Sequence, residues 1–140
     1  YANADSGGRI INKKIEEFCK LDPTKYKVVK NLGQLKYLSA MKHVDFLIGN
    51  TSSGIIEAAS FSKPVVNIGN RQSGRLKGVN IIDSEVKEVS KSIKLALSSR
   101  FVIDCHDVPN IYGSGGASIN IVNELINQPL SVKKFFLDIN

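Results

Sequence analysis

The stretch "DFLIGNTSSGIIEAA", residues 45–59, constrains the fold more than any other part of this chain. Phe46, Leu47 and Ile48 form a short apolar run between a charged residue and Gly49, the pattern of a parallel strand covered on both faces. Asn50, Thr51, Ser52, Ser53 and Gly54 follow, small and polar, and residues 55–61 read as helix. A strand that passes into a helix through five small residues offers hydroxyls, a helix cap and a closely approachable backbone at one spot. The free N–H groups and positive dipole end of such a helix suit an anion such as phosphate. An ordinary capped helix has the same local pattern. No Gly-Lys-Ser/Thr follows, so the turn is not a Walker A loop.

Around this unit, strands and helices alternate. Residues 8–20 put Ile10, Ile11, Ile15 and Phe18 at helical spacing, with Pro23 closing the segment; 26–32 ("YKVVKNL") read as a strand and 34–43 as a helix carrying Leu35, Leu38, Ala40 and Met41. Residues 64–68 and 79–82 are two short strands separated by the loop 69–78, 85–99 a helix, and 117–127 a last helix after the glycine-rich "YGSGGAS". This order predicts an α/β fold, a three-layer, Rossmann-like, doubly wound parallel sheet. Its ligand site is expected beyond the carboxyl ends of the strands, where 50–54 and 69–74 both emerge. The 140 residues match one domain. Tyr1 is not an initiator methionine, and a first helix in such a sheet normally has a strand before it, so the chain is expected to be a fragment of a protein that continues upstream.

Glu57 is the only charged side chain between Phe46 and Lys63, on a helix otherwise built of Ile55, Ile56, Ala58, Ala59 and Phe61. Such a carboxylate needs a partner: either an ion pair with Arg71 or Arg75, or the hydroxyls of a vicinal diol such as ribose. The loop "GNRQSGRLKG" sets Arg71 and Arg75 four apart directly after an expected buried strand, and two of the four arginines of the chain lie there. Guanidinium groups grip phosphate through paired donors, which makes this loop a candidate ligand element.

For catalysis by the chain itself there is little: no Ser-His-Asp order, no paired carboxylates at useful spacing, and His43 and His106 in ordinary surroundings. Cys19 and Cys105 make no disulfide framework, and Cys105-His106 lacks ligand spacing, so no metal is expected. The net charge of +6 favours an anionic partner, but the lysines are spread over several elements without interleaved aromatics, which speaks against nucleic acid. No apolar stretch is long enough to cross a bilayer and "YANADSGG" is not a signal peptide, which points to the cytoplasm.

Taken together, "IGNTSSGIIEAASFSKPVVNIGNRQSGR" closely resembles the nucleotide-binding C-terminal domain of the hydrolysing UDP-N-acetylglucosamine 2-epimerases, the sialic-acid-pathway type in particular. "NADSGG" looks like the family's Asn-x-Asp-x-Gly turn, "GVNIID" like its following strand and "IYGSGGAS" like its Tyr-Gly-Asp-Gly-Asn-Ala motif. The long central motif is specific, the flanking ones weak alone, and the resemblance covers most of the chain. Two departures stand out: Thr51 where relatives more often have Ser, and "YGSGG" without the usual Asp and Asn.

The resemblance implies that residues 1–140 are the C-terminal, nucleotide-binding lobe of a two-lobed fold of glycosyltransferase-B type, with the N-terminal catalytic lobe absent. It implies Thr51, Ser52 and Ser53 at the diphosphate, Glu57 on the ribose hydroxyls, Arg71 with Arg75 on the phosphates, and Asn3 and Arg9 lining the same cleft. Family members eliminate UDP from the sugar nucleotide to give a 2-acetamidoglucal and add water to yield N-acetylmannosamine, with no metal or redox cofactor. The implied partners are UDP, a UDP-N-acetylhexosamine and the missing lobe, and the full-length protein is implied to be a homo-oligomer. The family's acid/base groups lie upstream of Tyr1, so this fragment is expected to bind UDP without turnover. A UDP-sugar glycosyltransferase lobe and a non-catalytic nucleotide-binding regulatory module stay open as alternatives.

Overall fold

In the computed structural model, which describes residues 7–106 and 109–129, the apolar run after Asp45 becomes strand β1 (Leu47–Gly49). It pairs in parallel with β2 (Val65–Ile68), and β2 pairs in parallel with β3 (Ile81–Ser84), giving the order β1-β2-β3. The register aligns Leu47 with Val65 and Val65 with Ile81, so the three carboxyl ends reach one edge together. Val65 and Val66 point to opposite faces and both are buried, so the central strand is covered on both sides, as the apolar, non-alternating sequence requires.

Six helices accompany the sheet among the described residues: α1 (Gly8–Leu21), α2 (Gly33–His43), α3 (Ser52–Ile56), α4 (Val89–Ala96), α5 (Ser99–His106) and α6 (Ala117–Asn127). Met41 from α2, Ala58 from the 3-10 turn after α3, and Val65 form a buried cluster with Tyr37, Leu47, Phe61 and Ile81 packed around it. α4 lies against β2 and β3 and is joined to the sheet by a buried hydrogen bond of 2.9 Å from the Ser92 hydroxyl to that of Ser84. Cys105 is buried, and burial together with the Asp104 charge pushes its thiol above the ordinary range, the state of a packing residue. No helix among the described residues is long and apolar enough to cross a membrane.

The α/β architecture agrees with the sequence reading; the helix expected over 55–61 starts earlier, as α3 from Ser52, and ends in a 3-10 turn (Ala58–Phe61), the strand expected at 79–82 runs Ile81–Ser84, and two further elements differ more. Residues 26–32, expected as a strand, run without one, and Val28 and Val29 are 37% and 50% exposed. A strand needs a hydrogen-bonded neighbour, and the side-chain pattern of this segment cannot supply one; its contact is local, Tyr26 packing on Phe18 at 4.6 Å between ring centroids. The helix expected over 85–99 is a 3-10 turn followed by α4, and a further helix, α5, starts at Ser99. The break has a local cause. Ser98 accepts the Phe101 N–H on its hydroxyl, capping a new helix, while its own N–H tightens onto the Leu95 carbonyl.

Gly54 answers why the turn after β1 is built of small residues. A Cβ at this position would stand 3.2 Å from Val65 Cγ1, so the missing side chain lets α3 press directly onto β2. Gly54→Val is expected to overpack this contact and lower stability by about 2 kcal/mol, read from the midpoint of a urea unfolding curve at unchanged slope. An unchanged midpoint would show that α3 has room to move away.

Candidate functional site

The turn after β1 is a capped helix start. Thr51 has extended backbone and accepts the Gly54 N–H on its hydroxyl at 3.2 Å, the N-cap arrangement, with Ser52 and Ser53 as the first helical residues. Ser53 Oγ donates to a carboxylate oxygen of Glu57, one helical turn on, and the Tyr37 hydroxyl donates to Ser53 Oγ at 2.8 Å. A chain of hydroxyls from α2 thus orients the Glu57 carboxylate. No ion pair joins Glu57 to Arg71 or Arg75 among the described residues, which removes that explanation for the lone charge. The second oxygen, Oε1, has no donor among the described residues.

The arginine loop leaves the neighbouring strand. Gly69 and Gly74, with φ of 74° and 78°, occupy the left-handed region that a side chain disfavours, and between them the chain turns tightly enough to set Arg71 and Arg75 outward. Both guanidinium groups are exposed, and neither makes an ion pair or hydrogen bond among the described residues. Gln72, between them, is buried and donates its side-chain amide to the Asn50 carbonyl at 2.7 Å, bringing this loop against the turn that precedes Thr51. The glycine-rich loop joins as well: the Tyr112 hydroxyl donates to the Leu76 carbonyl at 2.7 Å, and Asn110 donates to the Ile56 carbonyl at 3.0 Å.

Of the residues singled out from sequence, the structure therefore brings Thr51, Ser52, Ser53 and Glu57 together on one helix turn, with the loop of Arg71 and Arg75 tied beside it. Arg9 sits on α1, exposed, with no hydrogen bond or ion pair to either loop among the described residues. Asn3 lies outside the described residues. Tyr37, Gln72 and Tyr112 escaped the sequence reading. Tyr37 had only helical spacing as a signal, and Gln72 only its place between two arginines.

Two cavities flank these elements. One of about 320 Å³ is largely apolar and is bordered by Leu32, Tyr37, Met41, Phe46, Gly49 and Thr51. The other, about 510 Å³, has a mixed polar and apolar surface and runs along Gly69, Asn70, Ser73, Lys77, Asp83 and Glu88. Asp83 in its wall is clamped by Lys77, at 2.8 and 2.9 Å from its two oxygens, and by the buried Asn67 amide at 2.7 Å. Partial burial raises the Asp83 carboxyl, but the hydrogen bonds from Lys77 and Asn67 and the Lys77 charge outweigh it and leave the group below its ordinary value.

A family model described as "UDP-N-acetylglucosamine 2-epimerase" matches residues 1–126. The chain is 45% identical over 100 residues to a GDP/UDP-N,N'-diacetylbacillosamine 2-epimerase (hydrolyzing) of Campylobacter jejuni, covering 71% of this chain and 26% of that protein. It is 34% identical over 143 residues to the polysialic acid biosynthesis protein P7 of Escherichia coli, covering 99% of this chain and 36% of that one. It is 33% identical over 147 residues to a UDP-N-acetylglucosamine 2-epimerase of Neisseria meningitidis, covering 100% and 37%. The chain thus spans roughly a quarter to a third of the length of these curated relatives.

The Asp83 clamp sets an acid limit on stability. Its folded value lies below the unfolded 3.8, so its stabilisation is fully present above that pH and is lost as pH falls through the lower folded value. Lys77→Met should therefore lower the unfolding free energy at about pH 6, by less than about 1 kcal/mol because the carboxylate is largely exposed, and the gap to wild type should narrow as pH falls below 3.8. A gap that does not change with pH would show that Lys77 acts through packing.

Proposed function

The chain belongs to the UDP-N-acetylglucosamine 2-epimerase family, and from that premise we propose that it is the UDP-binding part of a hydrolysing 2-epimerase. The observation that carries this reading is the arginine loop tied against the capped start of α3, with both guanidinium groups uncommitted among the described residues. Such a pair of elements suits a diphosphate: paired donors from Arg71 and Arg75 on one side, the hydroxyls of Thr51, Ser52 and Ser53 with the first N–H groups of the helix on the other. Glu57, held by Ser53 and Tyr37, keeps an open oxygen for ribose hydroxyls. The apolar cavity beside Tyr37 and Thr51 suits the base.

In the reaction proposed, UDP-N-acetylglucosamine and water give N-acetylmannosamine and UDP by way of a 2-acetamidoglucal. The task of this part is to hold the UDP and to stabilise the negative charge that grows on the diphosphate as the bond to the sugar breaks. Among the described residues the ionisable groups of the seat, Glu57, Arg71 and Arg75, are all assigned to the nucleotide, so the proton-transfer groups are assigned to the rest of the protein. A UDP-linked diacetamido sugar is the second reading of the substrate, favoured by the 45% identity to the Campylobacter jejuni protein. Both readings serve the making of surface sugars, in keeping with the name of the Escherichia coli relative.

Calorimetric titration of the 140-residue chain should show saturable UDP binding, with CMP and AMP much weaker and no UDP release from UDP-N-acetylglucosamine. Glu57→Ala is expected to weaken UDP about tenfold at little change in Tm, the loss of a charge-assisted hydrogen bond. A fall in Tm at unchanged affinity would assign the carboxylate to the fold instead. Arg71→Lys should weaken UDP by a similar factor, because one ammonium cannot reproduce the fork. An unchanged dissociation constant would move the phosphate grip to Arg75.

A further inference from the structure

Gln72 is 4% exposed in a loop whose neighbours Arg71 and Ser73 face solvent, which is an unusual place for a long polar side chain. Its two polar atoms are treated unequally. Nε2 donates to the Asn50 carbonyl, 22 residues away in sequence, at 2.7 Å. Oε1 is buried with no hydrogen-bond partner, the only such side-chain atom among the described residues. Rotating the amide would set Oε1 against the Asn50 carbonyl, so the main chain of the first loop fixes the orientation of the side chain of the second.

A buried unpaired oxygen is costly, and a purely structural position would be served better by an apolar residue of the same length. The one thing the amide gains is the cross-loop bond. It joins the residue preceding the Thr51 cap to the residue following Arg71, a direct link between the two elements of the seat. We propose that Gln72 is a positioning residue: it holds the arginine loop at a fixed distance from the start of α3, so that one diphosphate meets both. This inference rests on the nucleotide reading given above.

A second buried amide supplies the control. Asn80 is 3% exposed and donates to the Lys63 carbonyl at 2.9 Å, the same kind of bond, but it joins the residue before β3 to the segment before β2, at the amino ends of the strands. Gln72→Met keeps the length of the side chain and removes both polar atoms; Gln72→Glu keeps the shape and replaces the donor nitrogen by oxygen. In the 140-residue chain without ligand, amide exchange at residues 51–54 should rise about tenfold in both variants. Their UDP affinity should fall about tenfold, Gln72→Glu at least as far as Gln72→Met. Asn80→Leu should lower Tm and leave UDP affinity unchanged. Unchanged exchange at 51–54 would overturn the tie. Faster exchange with UDP affinity equal to wild type would overturn the positioning role. Failure of wild type itself to bind UDP would overturn the nucleotide reading, and the exchange data would then decide the tie alone.

Discussion

The parallel register of three short strands is the constraint on which the rest of this structure depends. Because Leu47, Val65 and Ile81 lie side by side, every chain segment that leaves the sheet forward leaves at the same edge. Loops that are about twenty residues apart in sequence therefore become neighbours. The turn into α3 and the arginine loop need no special sequence to find each other; the backbone ladder between β1 and β2 brings them within reach of one side chain, that of Gln72.

Packing against β2 then fixes how close the helix comes. The absent side chain at Gly54 lets α3 settle on Val65, and Val65 in turn belongs to the buried cluster with Met41 and Ala58. The same five small residues thus serve two ends. Gly54 faces inward and sets the helix–strand distance, while Thr51 caps the helix and Ser53 orients Glu57. The polar surface of the seat and the apolar surface of the core are opposite sides of a single turn of backbone.

Charge is distributed in keeping with this division. Asp83, at the end of β3, is neutralised within the protein by Lys77 and Asn67. Arg71 and Arg75 are left without an internal counter-charge among the described residues, and Glu57 takes a hydrogen bond on one oxygen from the Ser53 hydroxyl and none from a cation among those residues. A fold that pairs one acid on this edge and leaves two arginines beside it uncommitted keeps positive potential where an anionic ligand can use it.

Much of this was legible in the sequence, because the signals are local. The apolar run at 46–48, the small residues at 50–54, the helix that follows them and the two arginines between glycines are each properties of a few adjacent residues, and chain order alone implied a parallel sheet with its site at the carboxyl edge. What failed was what depends on a distant neighbour. Residues 26–32 carry the side chains of a strand, but pairing is a property of two segments and no partner pairs with them among the described residues. The split of the 85–99 helix turned on one serine choosing to cap rather than continue. The partner of Glu57 was open between arginine and ligand until the Tyr37 and Ser53 hydroxyls were placed beside it, and Gln72 became visible as a link only when Asn50 stood opposite. Sequence determined the elements and the chemistry they carry, since both are written in neighbouring residues. Tertiary structure decided which of those groups are spent on one another and which are left for a ligand, since that is settled by distances across the sheet.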